Sequence, residues 1–267
     1  LPVFSGSQIF LFGVGSKHVR SFKGKIINGK LLDRCTRISV RDEPTYNNLE
    51  RLTSKAIRLT GDSALFYPHK ANVKSDDRIL VCPRYLNHNY RASYHDYLSP
   101  RNIQIVRNKV AKACDYLIEK GYSITFIPFH TAKGDNDCYE IARISKLMNS
   151  KDAEIQKRPD SPSDFLREAS SSKFVIGMRL HSLVLSSIAT VPYLSISYDT
   201  KIHGFMSMTR MNRFLEPVDS RSCSFTRRIE YLINHHEETQ MNLENVVDRI
   251  KYRIFDEAKI IAASIRS

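Results

Sequence analysis

The stretch FVIGMRLHSLVLSSIATVPYLSIS, residues 174–197, decides the fold of this chain. The apolar run before Met178 predicts a buried strand, the run after His181 predicts a buried helix, and the residues after Pro192 predict a second strand. Arg179 interrupts the pattern where the first strand gives way to the helix. A charged side chain at that place costs solvation energy unless an opposite charge pairs with it. Either the fold or a ligand must therefore supply an anion.

The same alternation of strand and helix extends over most of the chain. Strands are predicted at SQIFLFGVGS (7–16), RISV (37–40), KAIRLTGDSAL (55–65), RILVCP (78–83) and YSITFIPF (122–129). Helices are predicted after RISV, along the apolar face from Ile103 to Leu117, at 137–148, and from the capping box SPSD (161–164) through Ala169. Strands that alternate with helices at this spacing need right-handed crossovers. The predicted fold class is therefore α/β with a parallel, doubly wound sheet.

The apolar content falls abruptly in PHKANVKSDD, residues 68–77, which favours a linker there. We therefore expect a first domain over residues 1–75 and a second over residues 76–242. The final segment, 243–267, carries an apolar stripe amid charged residues and predicts an amphipathic helix, which we expect to return to the first domain.

Composition restricts the class of partner. The chain has 267 residues and a formal net charge of +13, which favours an anionic partner such as nucleic acid, a membrane surface or a phosphorylated small molecule. Five scattered cysteines without a CxxC pair argue against a disulfide framework or a zinc cluster, and favour a reducing, cytoplasmic setting. The longest apolar stretch, 183–196, is too short to span a bilayer. Because the chain opens at Leu1 without a leader pattern, we expect it to be part of a longer one.

Candidate functional residues follow the predicted strands. Arg84 follows the strand at 78–83, His130 and Asp137 follow the strand at 122–129, and Lys201 follows the last strand of the opening stretch. Together with Arg179 and His181 they are expected at the carboxyl edge of the sheet, where ligands bind in parallel α/β folds. Arginine, lysine and histidine gathered beside a helix N-terminus favour a site for a phosphate and a carboxylate.

Structural explanations compete at each position. Arg179 could form an ion pair with a carboxylate such as Asp199, His181 could simply begin a helix, Asp137 could be a helix cap, and Arg84 could be solvated. The loop RYLNHNYRASYHDY (84–97) interleaves tyrosine, histidine and arginine, which suits stacking on a sugar or a base and equally suits an irregular surface loop.

Three motifs carry a resemblance to a known family. ISVRDEPTYNNL (38–49), FIPFH (126–130) followed by Asp137, and FVIGMRLHSLVLSSIATVPYLSISYDTKIHGF (174–205) resemble the polysaccharide pyruvyl transferase family over roughly residues 8–208. The resemblance implies two Rossmann-like domains arranged as in GT-B glycosyltransferases, with phosphoenolpyruvate in the cleft between them. Members usually have a further strand and helix region before the stretch that starts at Gln8, so the first domain is expected to be incomplete.

The resemblance also implies roles for the candidate residues. Arg179, Leu180 and His181 match the Arg-Leu-His donor motif of the family, and Arg84 falls where the family has an arginine after the first strand of the second domain. Lys201 is expected to contact phosphoenolpyruvate as well. On chemical grounds His181 is the expected general acid, since histidine exchanges protons near neutral pH, and Asp137 or His130 is expected to orient the acceptor.

The resulting hypothesis is transfer of an enolpyruvyl unit from phosphoenolpyruvate onto a sugar of a cell-surface polysaccharide or its lipid-linked precursor. No cofactor or metal is expected, since guanidinium groups can neutralise the phosphate. Nucleic acid is not an expected partner, and peripheral contact with an anionic membrane is compatible with the positive charge. Two alternatives stay open: a GT-B-type glycosyltransferase that uses a nucleotide sugar, and a non-catalytic basic module that binds anions.

Overall fold

The computed structural model describes residues 7–16, 19, 21–69, 77–86, 99–218, 220 and 222–266. The chain divides into two compact units: one contains the residues up to Phe66 together with those from Asp248 onward, and the other is Tyr67–Val247. From the sequence, these divisions are predicted between residues 75 and 76 and between residues 242 and 243. Residues 70–76 of the expected linker and 87–98 of the tyrosine-rich loop lie outside the described residues.

The first unit is built on a three-stranded parallel sheet in the order β1-β2-β3. Its elements are β1 (Phe10–Val14), α1 (Phe22–Asp33), β2 (Arg37–Val40), α2 (Glu43–Leu49) and β3 (Ile57–Leu59). Ile38 and Val40 of the central strand pack with Leu32 and Leu49 of the helices in one apolar cluster. The predicted start of α2 is confirmed, because the Asp42 carboxylate accepts a hydrogen bond from the backbone N–H of Thr45 at 2.9 Å.

The second unit holds a larger parallel sheet covered by helices. Its elements are β4 (Arg78–Cys82), α3 (Pro100–Glu119), β5 (Ser123–Phe126), β6 (Thr131–Ala132), β7 (Asp135–Asn136), α4 (Asp137–Leu147), β8 (Ala153–Ile155), α5 (Pro162–Ser170), β9 (Phe174–Gly177), α6 (Leu180–Ile188), β10 (Tyr193–Ser197), α7 (Thr200–Met208), β11 (Leu215–Pro217), α8 (Ser222–Asn234) and α9 (His236–Arg266). The helix α9 continues into the first unit from Asp248.

The strand order of this sheet fixes where a ligand can bind. Its six strands run β8-β5-β4-β9-β10-β11, all parallel, which in chain order is third, second, first, fourth, fifth, sixth. This is the doubly wound order of Rossmann folds, and it confirms the predicted fold class. The direction of winding reverses between β4 and β9, and ligands of such sheets bind beyond the carboxyl ends of the strands at that reversal.

The helix ends follow from local sequence chemistry. The capping box predicted at 161–164 is confirmed: Ser161 Oγ accepts from the backbone N–H of Asp164, whose carboxylate accepts from the backbone N–H of Ser161. The terminal helix begins at His236, before the predicted start at residue 243, because two glutamates in its first turn stabilise the helix N-terminus. The Nε2 of His236, the first residue of this helix, lies 2.6 Å from the carbonyl oxygen of Lys173.

Within the described ranges, no helix combines the length and the apolar character needed to cross a membrane.

Candidate functional site

The reversal point of the larger sheet brings two arginines to its carboxyl edge. Arg84 lies two residues beyond β4 and Arg179 lies two residues beyond β9, the neighbouring strand. The turn from β9 into α6 is tight at Gly177, where a Cβ atom would come within 2.5 Å of Ser182 Oγ and 2.6 Å of a Leu183 methyl carbon. Only glycine fits there without a shift of its neighbours, and this turn carries Arg179 to the start of α6.

The fold supplies the anion that Arg179 needs. Its Nε and Nη2 donate to the two carboxylate oxygens of Asp137 at 3.1 and 2.6 Å, and its Nη1 and Nη2 donate to those of Asp135 at 3.3 and 2.7 Å. Both ion pairs are bidentate, with two N–H groups donating to the two carboxylate oxygens, which is the geometry that makes arginine–carboxylate pairs strong. The structural explanation, an ion pair with a carboxylate of the fold, is therefore confirmed, but with other residues than Asp199, which the sequence offered as an example. The Asp199 side chain caps α7 by accepting from the backbone N–H of Lys201 at 2.9 Å.

Asp137 is fully buried at the start of α4. Besides Arg179, its carboxylate accepts backbone N–H bonds from Tyr85 at 2.9 Å, Phe129 at 3.1 Å and His130 at 2.9 Å. The helix cap itself is Asn136, whose side chain accepts from the N–H of Cys138. Asp137 therefore ties together the loops that follow β4, β5 and β9, and its carboxylate orients Arg179.

Tyr198 connects Arg84 to the Arg179 loop. Its buried hydroxyl accepts a hydrogen bond from Arg84 Nη1 at 3.2 Å and donates to the carbonyl oxygen of Met178 at 2.5 Å. The Arg84 guanidinium carbon also lies 5.3 Å from the centre of the Tyr198 ring, within range of a cation–π contact. One tyrosine beyond β10 thus positions both arginine-bearing loops.

The pKa values of Tyr198, Asp135 and Arg179 are all shifted by burial and by their charged neighbours. Burial raises the pKa of the Tyr198 hydroxyl, and the nearby charge of Arg84 only partly opposes this. Burial also works against ionisation of Asp135, yet hydrogen bonding by Arg179 and the charges of Arg179 and Arg84 hold the pKa of Asp135 below its ordinary value. Burial disfavours the charged form of Arg179, but its two carboxylate partners outweigh this and raise the pKa of its guanidinium. Arg84, Arg179 and Asp135 therefore feel one another's charge, and the Tyr198 hydroxyl feels the charges of both arginines.

The structure places the remaining predicted residues around this cluster. His130 is exposed, with Nδ1 at 3.5 Å from an Asp135 carboxylate oxygen. Leu180 and His181 are the first two residues of α6, where His181 is exposed, and Lys201 is the second residue of α7. Across the part of the chain that the structure describes, no hydrogen bond or ion pair joins the side chains of His181 or Lys201 to Arg179, and no group of His, Cys, Asp and Glu is arranged to hold a metal.

Sequence reasoning missed two residues of the site, Asp135 and the connecting role of Tyr198. Asp135 lies in a short antiparallel hairpin of β6 and β7, whose turn is made by Gly134 at a φ of 88°. The signal was present: Lys-Gly-Asp is a typical turn sequence, and residues 135 and 137 share one face of an extended segment because side chains alternate along it.

The fold is thus α/β, with a doubly wound parallel sheet that brings two arginines to its reversal point. The family assignment follows from the sequence: the profile of the polysaccharide pyruvyl transferase family matches residues 1–200, and the chain belongs to that family. No curated protein sequence matches the chain significantly.

Solved structures with a similar fold include GT-B glycosyltransferases and a UDP-GlcNAc 2-epimerase. A glycosyltransferase from Rickettsia africae superposes with a TM-score of 0.60 at 10% identity, over 96% of this chain and 70% of the other. Sucrose-phosphate synthase from Thermosynechococcus elongatus gives 0.54 at 11% identity, over 92% and 63%. TarM of S. aureus gives 0.50 at 11%, over 91% of this chain and 45% of TarM, so the chain spans about half the length of that enzyme. At these identities the likeness establishes the fold.

Proposed function

We propose that the chain carries the donor-binding part of a pyruvyl transferase, which moves the enolpyruvyl unit of phosphoenolpyruvate onto sugar hydroxyls of a cell-surface polysaccharide or its lipid-linked precursor. The observation that carries the proposal is the pairing of Arg84 and Arg179 at the reversal point of the sheet, in a chain of this family. Phosphoenolpyruvate presents a carboxylate and a phosphate close together. Two guanidinium groups held on adjacent loops suit that pair of anions, because arginine binds both groups through two parallel hydrogen bonds.

The reaction needs one acid and one base. In the first step an acceptor hydroxyl adds to C2 of the enolpyruvyl group and gives its proton to the base, while C3 gains a proton from the acid and becomes a methyl group. In the second step a neighbouring hydroxyl attacks C2, and phosphate leaves with the electrons of its C2–O bond and takes up the proton of that hydroxyl, which closes the pyruvate ketal. Arginines that neutralise the phosphate assist its departure.

His181 is the proposed proton donor to C3. It lies two residues after Arg179 at the exposed start of α6, so a donor held by Arg179 would have its enol carbon near the imidazole. Leu180 and Lys201 are proposed to border the donor from the starts of α6 and α7. His130, exposed beside Asp135, is the proposed contact to the acceptor. For Asp137, full burial and saturation by five donors favour a role in orienting Arg179 over direct contact with the acceptor.

We further propose that the acceptor is presented at a membrane surface on the cytoplasmic side. The formal charge of +13 supports attraction to anionic lipid, and a lipid-linked glycan would be found there.

Calorimetric titration of phosphoenolpyruvate into the protein tests the proposed donor. We expect binding in the micromolar to millimolar range, and a loss of at least about tenfold in affinity for Arg84→Ala and for Arg179→Ala. Arg101→Ala, an exposed arginine at the start of α3, is the matched control and should bind like the original protein. Binding of a uridine-diphosphate sugar with no binding of phosphoenolpyruvate would replace this proposal by a nucleotide-sugar glycosyltransferase.

A further inference from the structure

The two carboxylates that share Arg179 are not equivalent. Asp137 is 0% exposed and is fixed by three backbone N–H groups in addition to Arg179. Asp135 is 29% exposed, and within the described residues Arg179 alone donates hydrogen bonds to its carboxylate. The Asp137 carboxylate is therefore a permanent part of the site, whereas the Asp135 carboxylate is held there chiefly by the arginine.

The guanidinium presents a different edge to each carboxylate. Nε and Nη2 form the inner edge, which faces Asp137, and Nη1 and Nη2 form the outer edge, which faces Asp135. These four bonds occupy four of the five N–H groups of arginine. The outer edge is the one through which arginine binds a carboxylate or phosphate end-on, so Asp135 holds a carboxylate where an anionic ligand would place its own.

The hairpin that carries Asp135 is short and partly exposed. Its ladder consists of two residue pairs, Thr131 with Asn136 and Ala132 with Asp135, and Thr131 and Ala132 are exposed. An isolated two-stranded hairpin has little stability of its own. Moving it away from Arg179 therefore disturbs little packing.

The charge balance also favours exchange. With Asp135 in place, the two positive charges of Arg84 and Arg179 are cancelled by the two carboxylates, so the cluster offers no net attraction to an anion. Once Asp135 leaves the outer edge of Arg179, the arginines outnumber the remaining carboxylate. In the present arrangement His130 Nδ1 also lies 3.5 Å from an Asp135 carboxylate oxygen.

We propose that Asp135 is an internal competitor of the donor: it occupies the outer edge of Arg179 in the empty protein, and the carboxylate or phosphate of the donor displaces it while Asp137 keeps the inner edge. This inference rests on the proposed function, because it takes phosphoenolpyruvate as the anion. Asp135 thus lowers the affinity for every anion and restricts the site to ligands with enough charge to displace a carboxylate.

The experiment compares phosphoenolpyruvate titrations of the original protein, Asp135→Asn and Asp152→Asn. Asparagine keeps the size of Asp135 and removes its charge, and Asp152 is an exposed aspartate immediately before β8, at the opposite edge of the sheet. We expect Asp135→Asn to bind phosphoenolpyruvate about tenfold more tightly or better, inorganic phosphate to gain in the same direction, and Asp152→Asn to leave both affinities unchanged.

The outcomes separate the two proposals. If the original protein binds phosphoenolpyruvate and Asp135→Asn binds it equally or more weakly, Asp135 supports Arg179 and the competitor role is wrong, while the proposed donor stands. If Asp152→Asn raised the affinity for phosphoenolpyruvate as much as Asp135→Asn does, the gain would come from the net charge of the protein, and the inference would be wrong. If neither the original protein nor Asp135→Asn binds phosphoenolpyruvate, the proposed function itself fails.

Discussion

Replacing Asp137 with asparagine should destabilise the second unit more than almost any other isosteric change in it. The carboxylate accepts from five donors: one oxygen takes Tyr85 N–H and Arg179 Nη2, and the other takes Phe129 N–H, His130 N–H and Arg179 Nε. An asparagine side chain has one acceptor oxygen, and its NH₂ group cannot accept. Whichever way the amide is turned, at least two buried donors lose their acceptor.

The magnitude follows from that count. A buried donor left without an acceptor costs about 1–3 kcal/mol, and breaking a buried ion pair by removing one partner costs about 3–5 kcal/mol. Two such donors cost about 2–6 kcal/mol, a range that contains the ion-pair estimate, so we expect Asp137→Asn to lose about 3–5 kcal/mol, a large part of the stability of an ordinary domain. Asp152→Asn, at an exposed position, should stay within about 0.5 kcal/mol.

Urea unfolding followed by far-ultraviolet circular dichroism measures the effect, since the chain contains no tryptophan to serve as a fluorescent probe. The midpoint should fall while the slope of the transition stays the same. Combining Asp137→Asn with Arg179→Met should cost less than the sum of the two single changes, because each removes a partner of the other. A loss under about 1 kcal/mol for Asp137→Asn, or strict additivity in the double variant, would refute the central position given to this carboxylate.

Three further changes separate catalysis, positioning and pH dependence. His181→Gln should keep most of the affinity for phosphoenolpyruvate in calorimetry but lose turnover by about a hundredfold; normal turnover would exclude His181 as the proton donor. Tyr198→Phe removes the hydroxyl that joins Arg84 to the Met178 carbonyl, so donor affinity should fall about tenfold with little loss of stability in urea unfolding; unchanged affinity would contradict its positioning role. Burial lowers the pKa of His236, so the unfolded chain takes up a proton at a higher pH than the folded chain does. The free energy of unfolding should therefore fall as the pH drops below about 6.5. If a His236→Gln variant showed the same decline, the titrating group would lie elsewhere.

Much of the fold could be predicted because its strands are nearly continuous apolar runs bounded by turn residues. The segment 174–197 contains β9, α6 and β10 in the predicted order, and all three are largely buried. Local chemistry fixed the helix starts at Asp42 and Ser161, since a cap depends on residues only three positions apart.

The strand β11 could not be found in this way. Glu216 is its central residue, and a charged residue in so short a segment indicates an exposed loop. In the structure Glu216 is fully buried, because Lys109 of α3 lies 3.3 Å from it and Arg228 of α8 donates to it at 2.9 Å. Lys109 comes from a distant part of the chain and Arg228 from the following helix, so the pattern immediately around residue 216 does not reveal them.

The partners of Arg179 were unpredictable for a related reason. The sequence offered Asp199 as one possible ion-pair partner, because it follows β10, the strand next to β9. The carboxylates that actually pair with Arg179 follow β5, which lies two strands away on the other side of β4. They reach the arginine because α4 starts with a buried aspartate and the hairpin before it turns back toward the sheet. Such pairing depends on strand order and loop geometry, which a single sequence does not specify.

A crystal structure of the protein with phosphoenolpyruvate tests the central claim most directly. We expect one anionic group of the donor on the outer edge of Arg179, at about 2.7–2.9 Å from Nη1 and Nη2, and the other on Arg84. Asp135 should have turned away while Asp137 keeps its five hydrogen bonds. Phosphoenolpyruvate bound away from both arginines would contradict the account of the donor site.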